Sequence, residues 1–161
     1  MCMNNDDLNE DLFFFSKDVV FQEVPNEISL SFAIAGCSNN CKNCSWKNIK
    51  MQQKPLSATV FENYLKKYQG LVSCVVFLGG EWKPKILINR LKKAKEYGFK
   101  TCLYTGKNDV SEDIKKYLDY LKTGPYIEEL GGLTSEKTNQ KFIDVKTGKI
   151  LNNYFRHCEA I

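Results

Sequence analysis

Cys37, Cys41 and Cys44 lie in the run Gly36-Cys37-Ser38-Asn39-Asn40-Cys41-Lys42-Asn43-Cys44-Ser45-Trp46, a C-x-x-x-C-x-x-C spacing that gathers three thiols on one short loop. Thiolates are soft ligands that suit iron–sulfur clusters and zinc. The number of ligands separates the two. A closed structural zinc site takes four protein ligands, whereas a [4Fe-4S] cube held at three corners keeps one iron open for a further group. A non-enzymatic zinc-binding interaction module is the alternative from a different class, and it would need His157 or Cys158 as a fourth ligand.

The second chemical element is Leu78-Gly79-Gly80-Glu81. A glycine pair lets a ligand approach the backbone closely, and a carboxylate beside it can accept from an ammonium-type nitrogen. Alone, such a tripeptide is an ordinary turn. Its interest lies in following the cysteine loop by one strand–helix unit. Of the other cysteines, Cys74 and Cys102 sit in apolar strand-like runs and read as small buried hydrophobes, while Cys2 and Cys158 have no cysteine partner at short spacing. His157 is the only histidine, and no Ser/His/Asp or Cys/His constellation engages it. Neither a P-loop nor a dinucleotide fingerprint is present.

These motifs need strands to carry them. Ile28, Leu30, Phe32 and Ile34 alternate with small residues, a strand pattern that ends at Gly36 and so hangs the cysteine loop from the strand's C-terminal end. Thr59 with Glu62 reads as a capping box opening a helix that closes at Gly70. Val72 to Leu78 is a continuous β-branched and apolar run, as in a strand buried on both faces, and it stops at Gly79-Gly80-Glu81. Pro84 opens a helix with Leu87, Leu91 and Ala94 on one face. A third strand spans Phe99 to Tyr104 and ends at Thr105-Gly106; Ser111 caps a short helix, and Leu118 to Leu121 is a fourth strand. Lys141 to Val145 and Lys149 to Tyr154 flank Lys146-Thr147-Gly148 as a C-terminal hairpin.

Strands alternating with helices predict an α/β fold with a mostly parallel sheet and helices outside. The unusual residues fall on loops at strand C-terminal ends, where open α/β sheets and barrels place ligands. At 161 residues the chain is read as one domain, residues 1–161, with an acidic lead-in over residues 1–17. It is too short for eight strand–helix units, which leaves a partial (β/α) barrel whose open side admits a large substrate.

Composition narrows the class. Hydrophobic residues at 43% and charged residues at 26% are ordinary for a globular protein. The net charge of +4 comes from scattered lysines, with no basic block interleaved with aromatics, so no nucleic-acid partner is expected. The mild positive excess favours encounter with a small acidic electron donor. Seven cysteines without a secretory signal point to a reducing cytoplasm, and no apolar stretch approaches the length of a membrane span.

The cysteine spacing resembles the cluster loop of the radical S-adenosylmethionine (SAM) enzymes. That resemblance implies an oxidoreductase whose [4Fe-4S] cluster, held by Cys37, Cys41 and Cys44, binds SAM at the open iron and cleaves it to a deoxyadenosyl radical. It also implies that Gly79, Gly80 and Glu81 hold the amino end of SAM. Asn43, Ser45 and Trp46 would lie toward the adenosine, and Thr105 would contribute a hydroxyl or backbone group. Asn43 stands where the family favours an apolar residue, and Trp82 where many members carry Pro.

From about Asp18 to Asp144 the chain further resembles the small activases of anaerobic (class III) ribonucleotide reductase. Thr123-Gly124-Pro125-Tyr126 and Asn139-Gln140 are similar to that family's Asp-Gly-Pro-Phe/Tyr and Asn-Gln elements, with Thr123 replacing the Asp. The implied substrate is a glycine on a loop of the separate reductase, which becomes a glycyl radical. The implied electron donor is a small protein such as a flavodoxin or ferredoxin. An activase of the pyruvate formate-lyase type and a radical SAM enzyme acting on a small molecule are the nearest alternatives.

Overall fold

A computed structural model of the chain describes residues 11–36 and 53–156. Cys37, Cys41, Cys44, Asn43, Ser45 and Trp46 lie outside the described residues, as do Cys2, His157 and Cys158. Among the described residues the strands are β1 (Leu12–Val20), β2 (Ser29–Ile34), β3 (Lys54–Leu56), β4 (Cys74–Leu78), β5 (Lys100–Tyr104), β6 (Tyr120–Thr123) and β7 (Lys141–Asp144). The helices are α1 (Ala58–Tyr68), α2 (Pro84–Glu96), α3 (Glu112–Lys115) and α4 (Asn153–Arg156). All the strands join one mixed sheet in the order β3-β1-β2-β4-β5-β6-β7.

The pairings of β2 with β4, β4 with β5 and β5 with β6 are parallel, and the outer pairings are antiparallel. The expectation of a mostly parallel sheet therefore describes only its centre, because three of the six pairings among the described residues, those at the margins, are antiparallel. Because β2, β4, β5 and β6 run the same way, the loops that follow them leave from a single edge. That edge carries Gly36, Gly79-Gly80-Glu81, Thr105 and Gly124.

Side-chain alternation along each strand divides the core into two. Leu30, Phe32, Ile34, Val75, Phe77, Leu103 and Leu121 face α1 and α2, where Phe61, Leu65, Leu87, Leu91 and Ala94 are buried against them. Phe32, Phe61 and Phe77 meet at ring separations of 5.6–5.8 Å, and each such burial contributes roughly 1.5–3 kcal/mol. Cys74, Val76, Cys102 and Phe142 face the other way and are covered by Val24, Leu133, Leu151 and Phe155. The two cysteines are thus core residues, as their apolar surroundings in the sequence suggest.

Several expectations need correction. Residues 12–17, assigned to an acidic lead-in, belong to β1, whose Leu12 and Phe14 are buried against α1 and α2 while a register shift falls between Phe14 and Ser16. Ser57, not Thr59, caps α1: its Oγ accepts from the Val60 N–H at 3.2 Å. Glu62 is not part of a capping box; it accepts from the Tyr97 hydroxyl at 2.6 Å. The fourth strand lies two residues later than expected, at Tyr120–Thr123. The returning arm of the C-terminal hairpin is reduced to one bridge between Ile143 and Ile150, and Asn153–Arg156 is helical. Asn152 explains this, because its side chain accepts from the Phe142 N–H at 2.8 Å and donates to the Gln140 carbonyl at 2.9 Å, replacing ladder bonds.

Candidate functional site

Gly36 ends the extension of β2 and precedes the first loop cysteine. Its φ is +100°, and a Cβ there would lie 3.1 Å from Nε1 of Trp82. Gly79, one strand over, has φ +95°, and a Cβ there would come within 2.6 Å of the same indole. Left-handed backbone favours glycine at both positions; a methyl group would fit tightly at Gly36 and would displace the indole at Gly79. The indole of Trp82 therefore packs across the root of the cysteine loop and the turn after β4.

Gly80 continues the turn with its own positive φ, 109°, over Leu87 and Ile34. Glu81 follows and is 8% exposed. Its Oε1 accepts from the Thr105 hydroxyl at 2.8 Å, whereas Oε2 is buried and has no hydrogen-bond partner among the described residues. A carboxyl oxygen removed from water without a donor costs free energy, so Oε2 retains acceptor capacity that the described residues leave unused.

Thr105 is 2% exposed and links this carboxylate to the next loops. Its N–H donates to the Lys122 carbonyl at 2.9 Å, and its Oγ1 accepts from the Lys107 N–H at 3.1 Å. The Lys107 carbonyl in turn accepts from the Gly124 N–H at 2.7 Å. One hydrogen-bonded line thus runs along the edge from the β4 turn to the β6 turn. The Tyr104 carbonyl accepts from the Gly79 N–H at 2.9 Å, but its side chain takes no part: the hydroxyl donates to the Glu23 carbonyl, and the ring belongs to the opposite face.

Beyond β6, the motif residues fasten a loop. Gln140 Nε2 donates to the Gly124 carbonyl at 3.3 Å and Asn139 Nδ2 to the Pro125 carbonyl at 3.0 Å, while Thr123 is 3% exposed. Thr123-Gly124-Pro125-Tyr126 and Asn139-Gln140, distant in sequence, are one clamp. Sequence reasoning found both segments without finding that they touch, because nothing in a linear motif reports a side-chain amide meeting a carbonyl.

The structure brings together Gly79, Gly80, Glu81 and Thr105 at the edge where the cysteine loop begins. Cys37, Cys41 and Cys44, with Asn43, Ser45 and Trp46, are outside the described residues, among which no group of three His, Cys, Asp or Glu side chains is arranged to hold a metal ion. Among the same residues no helix is long and apolar enough to cross a membrane. In the sequence Trp82 is noted for standing where many radical SAM members carry Pro; its contact with two glycines is foreshadowed only by their positions at strand ends. No family model, no curated protein and no solved structure matches the chain, so its function has to be argued from these residues themselves.

Proposed function

We propose that this chain is a radical SAM activase that generates a glycyl radical on an anaerobic ribonucleotide reductase, with a partial (β/α) barrel as its architecture. The observation that carries the reading is the open Oε2 of Glu81, a buried carboxyl oxygen beside a glycine turn and joined through Trp82 to the root of a three-cysteine loop. A cationic amino acid headgroup satisfies such an acceptor, and three thiolates leave a cluster with one iron for that same ligand. Helices α1 and α2 pack on one face of the sheet, the outer face in the proposed barrel, while the opposite face is covered by Val24, Leu133, Leu151 and Phe155.

Cys37, Cys41 and Cys44 would hold the [4Fe-4S] cluster, Gly79, Gly80 and Glu81 the amino end of SAM, and Asn43, Ser45 and Trp46 the adenosine end. When bound, the cluster supplies the single electron that splits the carbon–sulfur bond of the sulfonium. The chain's own residues bind and orient: Gly79 and Gly80 let the ligand reach the backbone, Oε2 of Glu81 accepts from its ammonium, and the Trp82 indole covers the turn and limits water. No general base is required of the protein. The electron would come from a small acidic donor such as a flavodoxin or ferredoxin in the cytoplasm, and a glycine of the partner protein would give up a hydrogen atom to the deoxyadenosyl radical, leaving deoxyadenosine and a glycyl radical.

Anaerobic reconstitution with iron and sulfide, followed by assay of deoxyadenosine release from SAM under reducing conditions, tests this directly. A brown, oxygen-sensitive protein that cleaves SAM is expected. A glycyl radical signal by electron paramagnetic resonance on a class III reductase, and none on a pyruvate formate-lyase, identifies the substrate. A colourless protein that takes up zinc alone would end the proposal.

A further inference from the structure

Thr105 is a buried hydroxyl at the end of a central strand, and its hydrogen bonds are nearly all committed. The hydroxyl carries one proton, which goes to Oε1 of Glu81, and one of its two lone pairs takes the Lys107 N–H. Its backbone is tied to β6 through the Lys122 carbonyl and, by way of Lys107, to Gly124. The carboxylate it holds is fixed on one oxygen only. A Glu side chain turns freely about its last torsion unless something stops it, because that sp³–sp² rotation is broad.

We infer that Thr105 is a positioning residue: its hydroxyl locks the Glu81 carboxylate so that Oε2 alone is presented to an ammonium-bearing ligand. This rests on the proposed SAM site and adds to it the part of Thr105, which acts through Glu81 instead of donating to the ligand. The valine variant keeps the shape and loses the donor; the serine variant keeps the donor and loses only a methyl group.

Equilibrium dialysis of SAM against anaerobically reconstituted protein, compared among wild type, T105V, T105S and E81Q, reads the effect. T105V should weaken binding roughly tenfold, the loss expected for one hydrogen bond to a charged group. T105S should stay within about threefold of wild type. Iron content should be the same in all, and in deoxyadenosine release T105V should raise KM more than it lowers kcat. A T105V protein that binds SAM as wild type does, while E81Q binds weakly, overturns the inference and leaves the proposed function standing. A wild-type protein that binds no SAM removes both. The contact itself is read without cofactor by a variant with no acceptor at 81: urea unfolding of the apo-protein should give costs for T105V and E81M that fall short of additivity in the double variant, and strict additivity overturns the inference as well.

Discussion

Gly79 is where the site and the backbone constrain each other most tightly. An alanine there would suffer left-handed strain of roughly 1–2 kcal/mol and would also press on the Trp82 indole at 2.6 Å. Gly79→Ala should therefore lower the melting temperature of the apo-protein, and the loss should shrink in a Trp82→Ala background, where only backbone strain remains. Equal losses in the two backgrounds would refute the contact. At the opposite extreme stand Cys74 and Cys102. Burial pushes the Cys74 thiol up to about 12 and the Cys102 thiol well above its ordinary range. Since the thiolate is the nucleophile, neither should react with iodoacetamide in the native protein, and both should react in denaturant; peptide mass spectrometry after native alkylation checks this. Burial of both was legible from the apolar runs around them. The hydrogen bond between Thr105 and Glu81 was not, because it joins residues 24 positions apart through strand pairing.

Elements were legible where one periodicity ruled and illegible where an acidic or mixed composition masked it. Phe77 and its neighbours in β4 form an unbroken apolar run, and Leu87, Leu91 and Ala94 repeat at helical spacing, so strand and helix were plain. In β1, Ser16, Lys17 and Asp18 follow Phe15 directly, and the acidic residues before Leu12 coloured the reading of the whole segment. Between elements, Asp119 is the tie that the sequence hid. Its carboxylate accepts from Lys95 of α2 at 2.7 Å, from the Thr101 N–H of β5 at 2.9 Å, and pairs with Lys146 at 3.1 Å. Burial works to raise the carboxyl pKa, but these three donors together hold it below 3.8. A carboxylate with a depressed folded-state pKa contributes stability that is complete above its unfolded value and is lost as pH falls through the folded one. Asp119→Asn should therefore cost about 1.5–3 kcal/mol at neutral pH. The gap from wild type should narrow below about pH 4; urea unfolding across pH 2–7 measures it, and a gap constant over that range would sink the assignment.

At the scale of the molecule, the two buried clusters join described residues that are far apart in the chain, from Leu12 to Phe155. The described sheet presents an edge at which Gly36 leads into the cysteine loop, and the proposed function treats the cluster as a ligand of a folded scaffold instead of its organiser. Small metal-dependent domains behave otherwise, since in them metal binding supplies the folding free energy and removal unfolds the chain. Replacing Cys37, Cys41 and Cys44 together by Ala should accordingly abolish iron uptake and SAM cleavage while the far-UV circular dichroism and cooperative thermal unfolding of the apo-protein persist. The melting temperature of the triple variant should match that of wild-type apo-protein. Reconstituted wild type should melt higher than either, because a ligand that binds only the folded state stabilises it in proportion to the logarithm of its saturation. An apo-protein that is unfolded until metal is added would instead put the loop at the centre of the fold and favour the structural zinc module.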